Sequence, residues 1–242
     1  MITKWKVPVN ACKLAGRLSS TVTAAHDRIG RAFVKPFYAQ AYDPHDTPTI
    51  TLIMAASWWY DFLAFRPPKE WMTILSVGRS VAWYWTDAAG VSRGLGAVKL
   101  TMENGVASWS YVMTNLPQEV WDQLLDRSDA QISYQEFAAV VLAFSSFRIE
   151  GQLAFFFIDN NAVLLSILKG SAKSNSELNL AIGRFWLDLA NNRVAPFFLR
   201  VESKANIADA PSRDSTEELE RLGAVRVEPI FPPWFLQVWS FK

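Results

Sequence analysis

Two aspartates stand where apolar runs give out. Asp87 follows Val81–Trp85 and Thr86, and Asp159 follows Leu153–Ile158. In open α/β sheets, ligands collect beyond the carboxyl ends of the strands. Two carboxylates meeting there repel unless a cation lies between them. Mg²⁺ is the hard cation that takes one or two carboxylates and completes its shell with substrate phosphate oxygens. Two further acids sit at expected helix starts. Glu136 falls in the first turn of an amphipathic helix whose apolar face is Phe137, Val140, Val141, Phe144 and Phe147. Taken alone, Ser133-Tyr134-Gln135-Glu136 is a capping box in which Glu136 returns to the Ser133 backbone. Asp209, in Asn206-Ile207-Ala208-Asp209, is by itself a helix cap or a surface acid. Asp87 and Asp159, taken singly, are turn residues after strands.

The elements around these acids follow from periodicity and breakers. Lys13–Gln40 reads as a helix, Tyr42–Pro48 as a loop, and Ile50–Phe65 as a second helix ended by Pro67-Pro68. A boundary is expected near residues 67–79. Val81–Trp85, Gly94–Leu100 and Ala107–Met113 read as three strands. Asn104-Gly105 joins the last two as a hairpin. The helix carrying Glu136 comes next, then Leu153–Ile158, whose continuous apolar run suits a strand buried on both faces. Ala162–Leu168 and Ser176–Ala190 read as helices, Pro196–Val201 as a strand, and Ile207–Arg213 as a short turn or helix broken by Pro211. The order βββαβααβα requires a mixed sheet, an antiparallel meander extended by parallel strands through helical crossovers. The expected class is α/β, a five-stranded mixed sheet flanked by helices with a small N-terminal helical subdomain. The segments are 1–78, 79–215 and a C-terminal tail, 216–242.

Composition bounds the function. Half of the 242 residues are hydrophobic and 19% are charged, which fits a large packed core and excludes a disordered chain. Eleven tryptophans point to broad aromatic packing. Cys12 is the only cysteine, so no internal disulfide can form and a reducing compartment is expected. Residues 1–10 lack the apolar core of a signal peptide, and Leu52–Phe65 is too short to span a bilayer. An intracellular protein of the cytoplasm or nucleus, without a membrane partner, is expected. The net charge of +1 hides an asymmetry: residues 1–40 hold seven basic residues and one acid, a local +6. Arg17, Arg28, Arg31 and Lys35 in this arm are candidates for phosphate contacts. An ordinary solvated helix face is the alternative.

Strand–Asp, helix–Glu, strand–Asp, helix–Asp is an order that resembles the ribonuclease H superfamily, and above all the ribonuclease H domains of retroelement reverse transcriptases. Trp85-Thr86-Asp87-Ala88 with Gly94-Leu95-Gly96-Ala97 resembles their first two strands. Gln135-Glu136 with Ala138-Ala139-Val140 resembles their helix motif, and Phe157-Ile158-Asp159-Asn160 with Ala162-Val163 the motif of the third carboxylate. Val201–Arg213, with Asn206, Ala208-Asp209 and Ser212-Arg213, resembles the last and most specific block. The resemblance covers about residues 79–215. It implies a ribonuclease H-like fold, Asp87, Glu136, Asp159 and Asp209 as catalytic ligands of two Mg²⁺ (or Mn²⁺) ions, and hydrolysis of the RNA strand of an RNA–DNA hybrid. Leu14-Ala15-Gly16-Arg17-Leu18, Arg28-Ile29-Gly30-Arg31-Ala32 and Trp58-Trp59 resemble the thumb or connection region of DIRS-like and related retroelements. The polymerase motif Tyr/Phe-x-Asp-Asp is absent. The chain is therefore similar to the C-terminal part of a reverse transcriptase, and a polymerase part of the same polyprotein is the implied partner.

One departure is plain. His26 and His45 are the only histidines, so the loop before Asp209 lacks the histidine of many ribonuclease H enzymes, and slow turnover is expected. Ser133, Gln135, Asn160 and Asn161 flank the carboxylates and are candidate donors to the 2′-hydroxyls of a hybrid, with helix capping as the alternative. Arg213 is a further candidate nucleic-acid contact. Two other functions fit the same fold: a catalytically weak or inactive nucleic-acid scaffold, and integrase-like strand transfer.

Overall fold

The computed structural model describes residues 7–25, 29–43, 45, 47–65, 80–90, 92–125, 131–172 and 176–239. The chain divides into two compact units, one of residues 1–73 and 168–191, the other of residues 74–167 and 192–242. The segment 168–191 thus groups with the N-terminal helices, whereas the sequence assigned it to the 79–215 domain. Pro67-Pro68 and the expected boundary at 67–79 lie outside the described residues.

The first unit is helical. Where one helix was expected over Lys13–Gln40 there are two, α1 (Val7–Ala25) and α2 (Arg31–Ala41). Gly30 separates them with φ of 88°, a left-handed conformation that glycine adopts without strain. α3 (Ile50–Phe65) matches its expected bounds. Its Trp58 ring lies between Phe33 and Phe62, with centroids 4.3 and 4.9 Å away and near-parallel planes. Trp59 donates its indole N–H to the Phe33 carbonyl at 3.2 Å, so the buried polar edge is satisfied. A later helix (Ser176–Asn191) completes this unit, its Gly183 set against the Phe33 ring.

The second unit is built on a mixed sheet. β1 (Val81–Ala89), β2 (Gly94–Glu103) and β3 (Val106–Asn115) form the antiparallel meander. Asn104 and Gly105 both have positive φ, 52° and 80°, as a tight two-residue hairpin demands. After α4 (Gln118–Leu125) and α5 (Gln131–Ser146) come β4 (Leu153–Ile158), α6 (Asn161–Lys169), the Ser176–Asn191 helix (α7) and β5 (Ala195–Arg200). β4 runs parallel to β1, and β5 parallel to β4. The strand order is β5-β4-β1-β2-β3-β6. This is the expected mixed sheet flanked by helices, with six strands rather than five. The sixth, β6 (Val225–Arg226), pairs parallel to β3 and lies in the segment expected to be a tail. That segment also carries α9 (Glu217–Arg221) and α10 (Pro233–Trp239), with Leu219, Phe235 and Val238 buried. Among the described residues, no helix is long and apolar enough to cross a membrane.

Rings pack in rows across the sheet. Tyr84, Phe156 and Phe198 stack through adjacent strands at 5.2 Å per step, and Phe147 sits against Tyr84. α5 is buried nearly all round, not amphipathic as expected. It begins at Gln131, so Ser133 lies inside the helix and cannot be its cap.

The short α8 (Asp209–Ser212) rests directly on β2 because β2 has no side chains there. A Cβ on Gly96 would come within 2.5 Å of the Ser212 nitrogen and 2.7 Å of the Ala208 carbonyl oxygen. A Cβ on Gly94 would overlap the Ser212 carbonyl oxygen. These neighbours are backbone atoms and cannot swing aside. Gly96→Ala is therefore expected to lower stability by about 1–3 kcal/mol, the usual cost of overpacking, measured as a lower thermal midpoint. An unchanged midpoint would show that α8 does not depend on this seat.

Candidate active site

The site lies where β4 ends alongside β1. The register pairs Trp85 with Phe157 and Thr86 with Ile158, so Asp87, inside β1 and still paired with Gly96 of β2, stands level with Asp159 just beyond the end of β4. α5 delivers Glu136. One carboxylate oxygen from each of Asp87, Glu136 and Asp159 lies within 4.8 Å of the others. Asp87 and Glu136 are 4% and 5% exposed, and Asp159 is half-buried.

Burial and crowding act in the same direction on these groups. Burial pushes the Glu136 carboxyl up to about 9, and the charges of Asp87 and Asp159 add to it. Asp87 is raised to about 6, first by burial and then by Asp159 and Asp209, against a lowering hydrogen bond from Ser212. Among the described residues the Glu136 Oε2 atom is buried without a hydrogen-bond partner, and with α5 beginning at Gln131 Ser133 is not the cap to which Glu136 could return. An uncompensated buried carboxylate oxygen is costly. A hard cation with oxygen ligands is the partner that these three groups fit.

The structure places the fourth acid differently. Asp209 is the first residue of α8, its side chain 45% exposed and paired with Arg213 at 2.8 Å. It lies outside the set of three, yet close enough for its charge to raise Asp87. Arg213 is exposed and engaged in that pair. Asn160 accepts from the Ala162 and Val163 amides at 3.0 and 3.2 Å, the capping alternative, and Asn161 is exposed at the start of α6. Gln135 corrects its expectation as a hybrid contact. It is buried and donates its amide to the Gly90 carbonyl at 3.2 Å, bracing the β1–β2 turn. Ser133 is buried as well. Arg17 and Arg31 are exposed in the helical unit and Lys35 is half-buried there; Arg28 lies outside the described residues.

Two residues not predicted as site residues hold the central aspartate. Ser212 donates its hydroxyl to Asp87 Oδ2 at 2.6 Å. Asn206 donates to Asp87 Oδ1 at 3.3 Å and to the Thr86 carbonyl at 3.0 Å. Both carboxylate oxygens are thus oriented from the block after β5. The only sequence signal was their place in the last motif, beside the acid that drew attention.

Among known proteins, no family model matches this chain, and no curated protein matches it. Solved structures similar to it include ribonuclease H domains. Ribonuclease H1 of the halophilic archaeon Halobacterium salinarum is 13% identical with a TM-score of 0.37, the match covering 58% of this chain and 99% of that one. LC11 ribonuclease H1, isolated from compost by a metagenomic approach, is 10% identical with a TM-score of 0.37, covering 60% and 99%. The N-terminal ribonuclease H domain of a Mycobacterium tuberculosis protein is 11% identical with a TM-score of 0.35, covering 60% and 99%.

Two outcomes follow from the geometry. Without metal, a carboxyl raised by folding stabilises the native state only while protonated. Stability should be greatest below the ordinary value of Glu136 near 4.5 and should fall as pH rises through 6 toward 9. Glu136→Gln should flatten that fall, gaining on the order of 1 kcal/mol or more at pH 8 in chelator. A steeper decline in the variant would show that Glu136 is not a repelled acid. Ser212→Ala should raise the Mg²⁺ concentration needed for half of the metal-induced melting shift by about tenfold, the usual cost of losing a group that orients a ligand. No change in that concentration would leave Ser212 a packing residue only.

Proposed function

We propose that this chain is a divalent-metal-dependent nuclease that hydrolyses the RNA strand of RNA–DNA hybrids. One observation carries the reading: three carboxylates, two of them buried, converge from β1, the end of β4 and α5, and the Glu136 Oε2 atom has no hydrogen-bond partner among the described residues. Such a site is built to release its repulsion onto cations, and its all-carboxylate donor set suits Mg²⁺ or Mn²⁺. Bound cations would supply Lewis acidity for an attacking water and charge neutralisation for a leaving phosphate oxygen. Asp87, Glu136 and Asp159 would hold them, with both Asp87 oxygens oriented by Ser212 and Asn206. Asp209, on the rim, would join after releasing Arg213. Hybrid selection would rest on minor-groove shape and 2′-hydroxyls, with Asn161 exposed beside Asp159 as a candidate contact. The sequence motifs of residues 85–97 and 201–213 support placing the chain at the C-terminal end of a reverse transcriptase, with a polymerase part as its partner.

A second reading, a hybrid-binding scaffold with weak or no cleavage, is favoured by one feature: Asp209 is paired with Arg213 and stands outside the set of three acids. An RNA–DNA hybrid, duplex DNA and single-stranded DNA, each offered with Mg²⁺, separate the readings. The nuclease reading expects cleavage of the hybrid RNA strand and a loss of at least about a hundredfold in Asp87→Asn, by removal of the central metal-holding carboxylate. Binding without cleavage by the wild type would favour the scaffold, and activity retained in Asp87→Asn would overturn the site.

A further inference from the structure

The helical unit holds a cavity of about 280 Å³ that the proposed chemistry does not use. Its walls come from Ser19 and Val22 on α1, from Arg31, Val34, Lys35 and Tyr38 on α2, and from Ser171. The α2 residues recur at helical spacing, so a single face sets two cations one turn apart. Val22 and Val34 beneath them are buried, which gives the cavity an apolar floor. Lys35 is half-buried and its ammonium donates to the Ala172 carbonyl, a neutral acceptor that leaves the charge in place. Burial, and after it the charge of Lys169, lower the Lys35 pKa. Among the described residues no acid lines the cavity, and neither Arg31 nor Lys35 has a carboxylate partner. The Ser19 and Tyr38 hydroxyls lie 3.1 Å apart, and Ser171 adds a third hydroxyl. The cavity thus offers cationic and hydroxyl donors, and among the described residues no anionic side chain lines it.

We propose that this cavity is a phosphate subsite that holds one backbone phosphodiester of a polynucleotide. Two cations and three hydroxyls supply the charge-assisted donors that a tetrahedral oxyanion accepts. A polynucleotide is favoured over a free phosphate compound because the cavity's arginine is exposed and Arg17 adds a further exposed cation on α1. In naming a nucleic acid as the ligand, this inference rests on the nuclease reading, yet its readout is binding in chelator and needs no cleavage.

The experiment uses the full chain and anisotropy of a labelled RNA–DNA hybrid in chelator, titrated between about 50 and 200 mM salt. Arg31→Gln with Lys35→Gln should weaken binding by about tenfold and make the log–log salt slope shallower by about one, the signature of one lost phosphate contact. Arg31→Gln alone, at an exposed position, should show part of the loss and covers the case in which the double variant fails to fold. Inorganic phosphate should compete weakly with the hybrid in the wild type and less in the double variant. An unchanged slope in the folded variants overturns the subsite. An equal loss in Arg221→Gln, the same change of charge on exposed α9, reduces the effect to net charge and also overturns it. Phosphate binding that depends on Arg31 and Lys35 with no effect on the hybrid overturns the polynucleotide assignment. A wild type that binds the hybrid through these residues but never cleaves it supports the subsite and defeats the nuclease reading.

Discussion

Three carboxyl groups held within 4.8 Å of one another are a standing electrostatic cost, and much of the second unit exists to enforce it. Water would disperse these charges if they were free to separate. β1 and β4, locked in parallel register, fix two of them at one level, and a helix buried on almost every side fixes the third. The fold accepts the repulsion because aromatic stacking and apolar burial elsewhere in the sheet outweigh it. Glu136 and Asp87 record the strain as carboxyls that hold their protons far above the usual range.

Enforcement reaches beyond the acids. Gly94 and Gly96 remove two side chains from β2 so that α8 can lie against the strand backbone. Only from there does the Ser212 hydroxyl reach Asp87, and Asn206 ties the same carboxylate and the strand carbonyl before it. The last motif thus acts on the first aspartate through hydrogen bonds, while its own acid stands on the rim beside Arg213. Positional control of one carboxylate by residues more than a hundred positions away shows why the meander and the final block must fold as one piece.

Much of this was legible in the sequence, for identifiable reasons. β4 and α3 have the bounds read from their apolar runs, and Asn104-Gly105 makes the expected hairpin, since period and turn chemistry are local properties. The N-terminal helix was read as continuous from its helical spacing; the left-handed Gly30, with no room for a side chain against Trp59 and Trp58, is a tertiary feature that spacing does not carry. β6 was missed because two residues carry no periodicity and pair only when β3 offers an edge. Gln135 was read as a surface donor from its place beside Glu136, but α5 has almost no exposed face. Asp87, Glu136 and Asp159 were found as strand-end and helix acids grouped by resemblance. The roles of Ser212 and Asn206 depend on distances that no spacing encodes.

The brief pairing of β6 with β3 has a consequence for solubility. A sheet edge with unpaired backbone groups is a template for aggregation, and proteins blunt it by covering or interruption. Here one margin is covered at Ser110 and Tyr111 by Val225 and Arg226, while the other, β5, carries Pro196, which has no N–H to offer an incoming strand. Beside that proline, Phe197 and Leu199 are more than a third exposed. The two guards are unequal: one is a covalent property of a single residue, the other a strand of two residues that fraying can remove. Loss of residues 216–242 would open the β3 margin, and amyloid-like association would begin there rather than at β5.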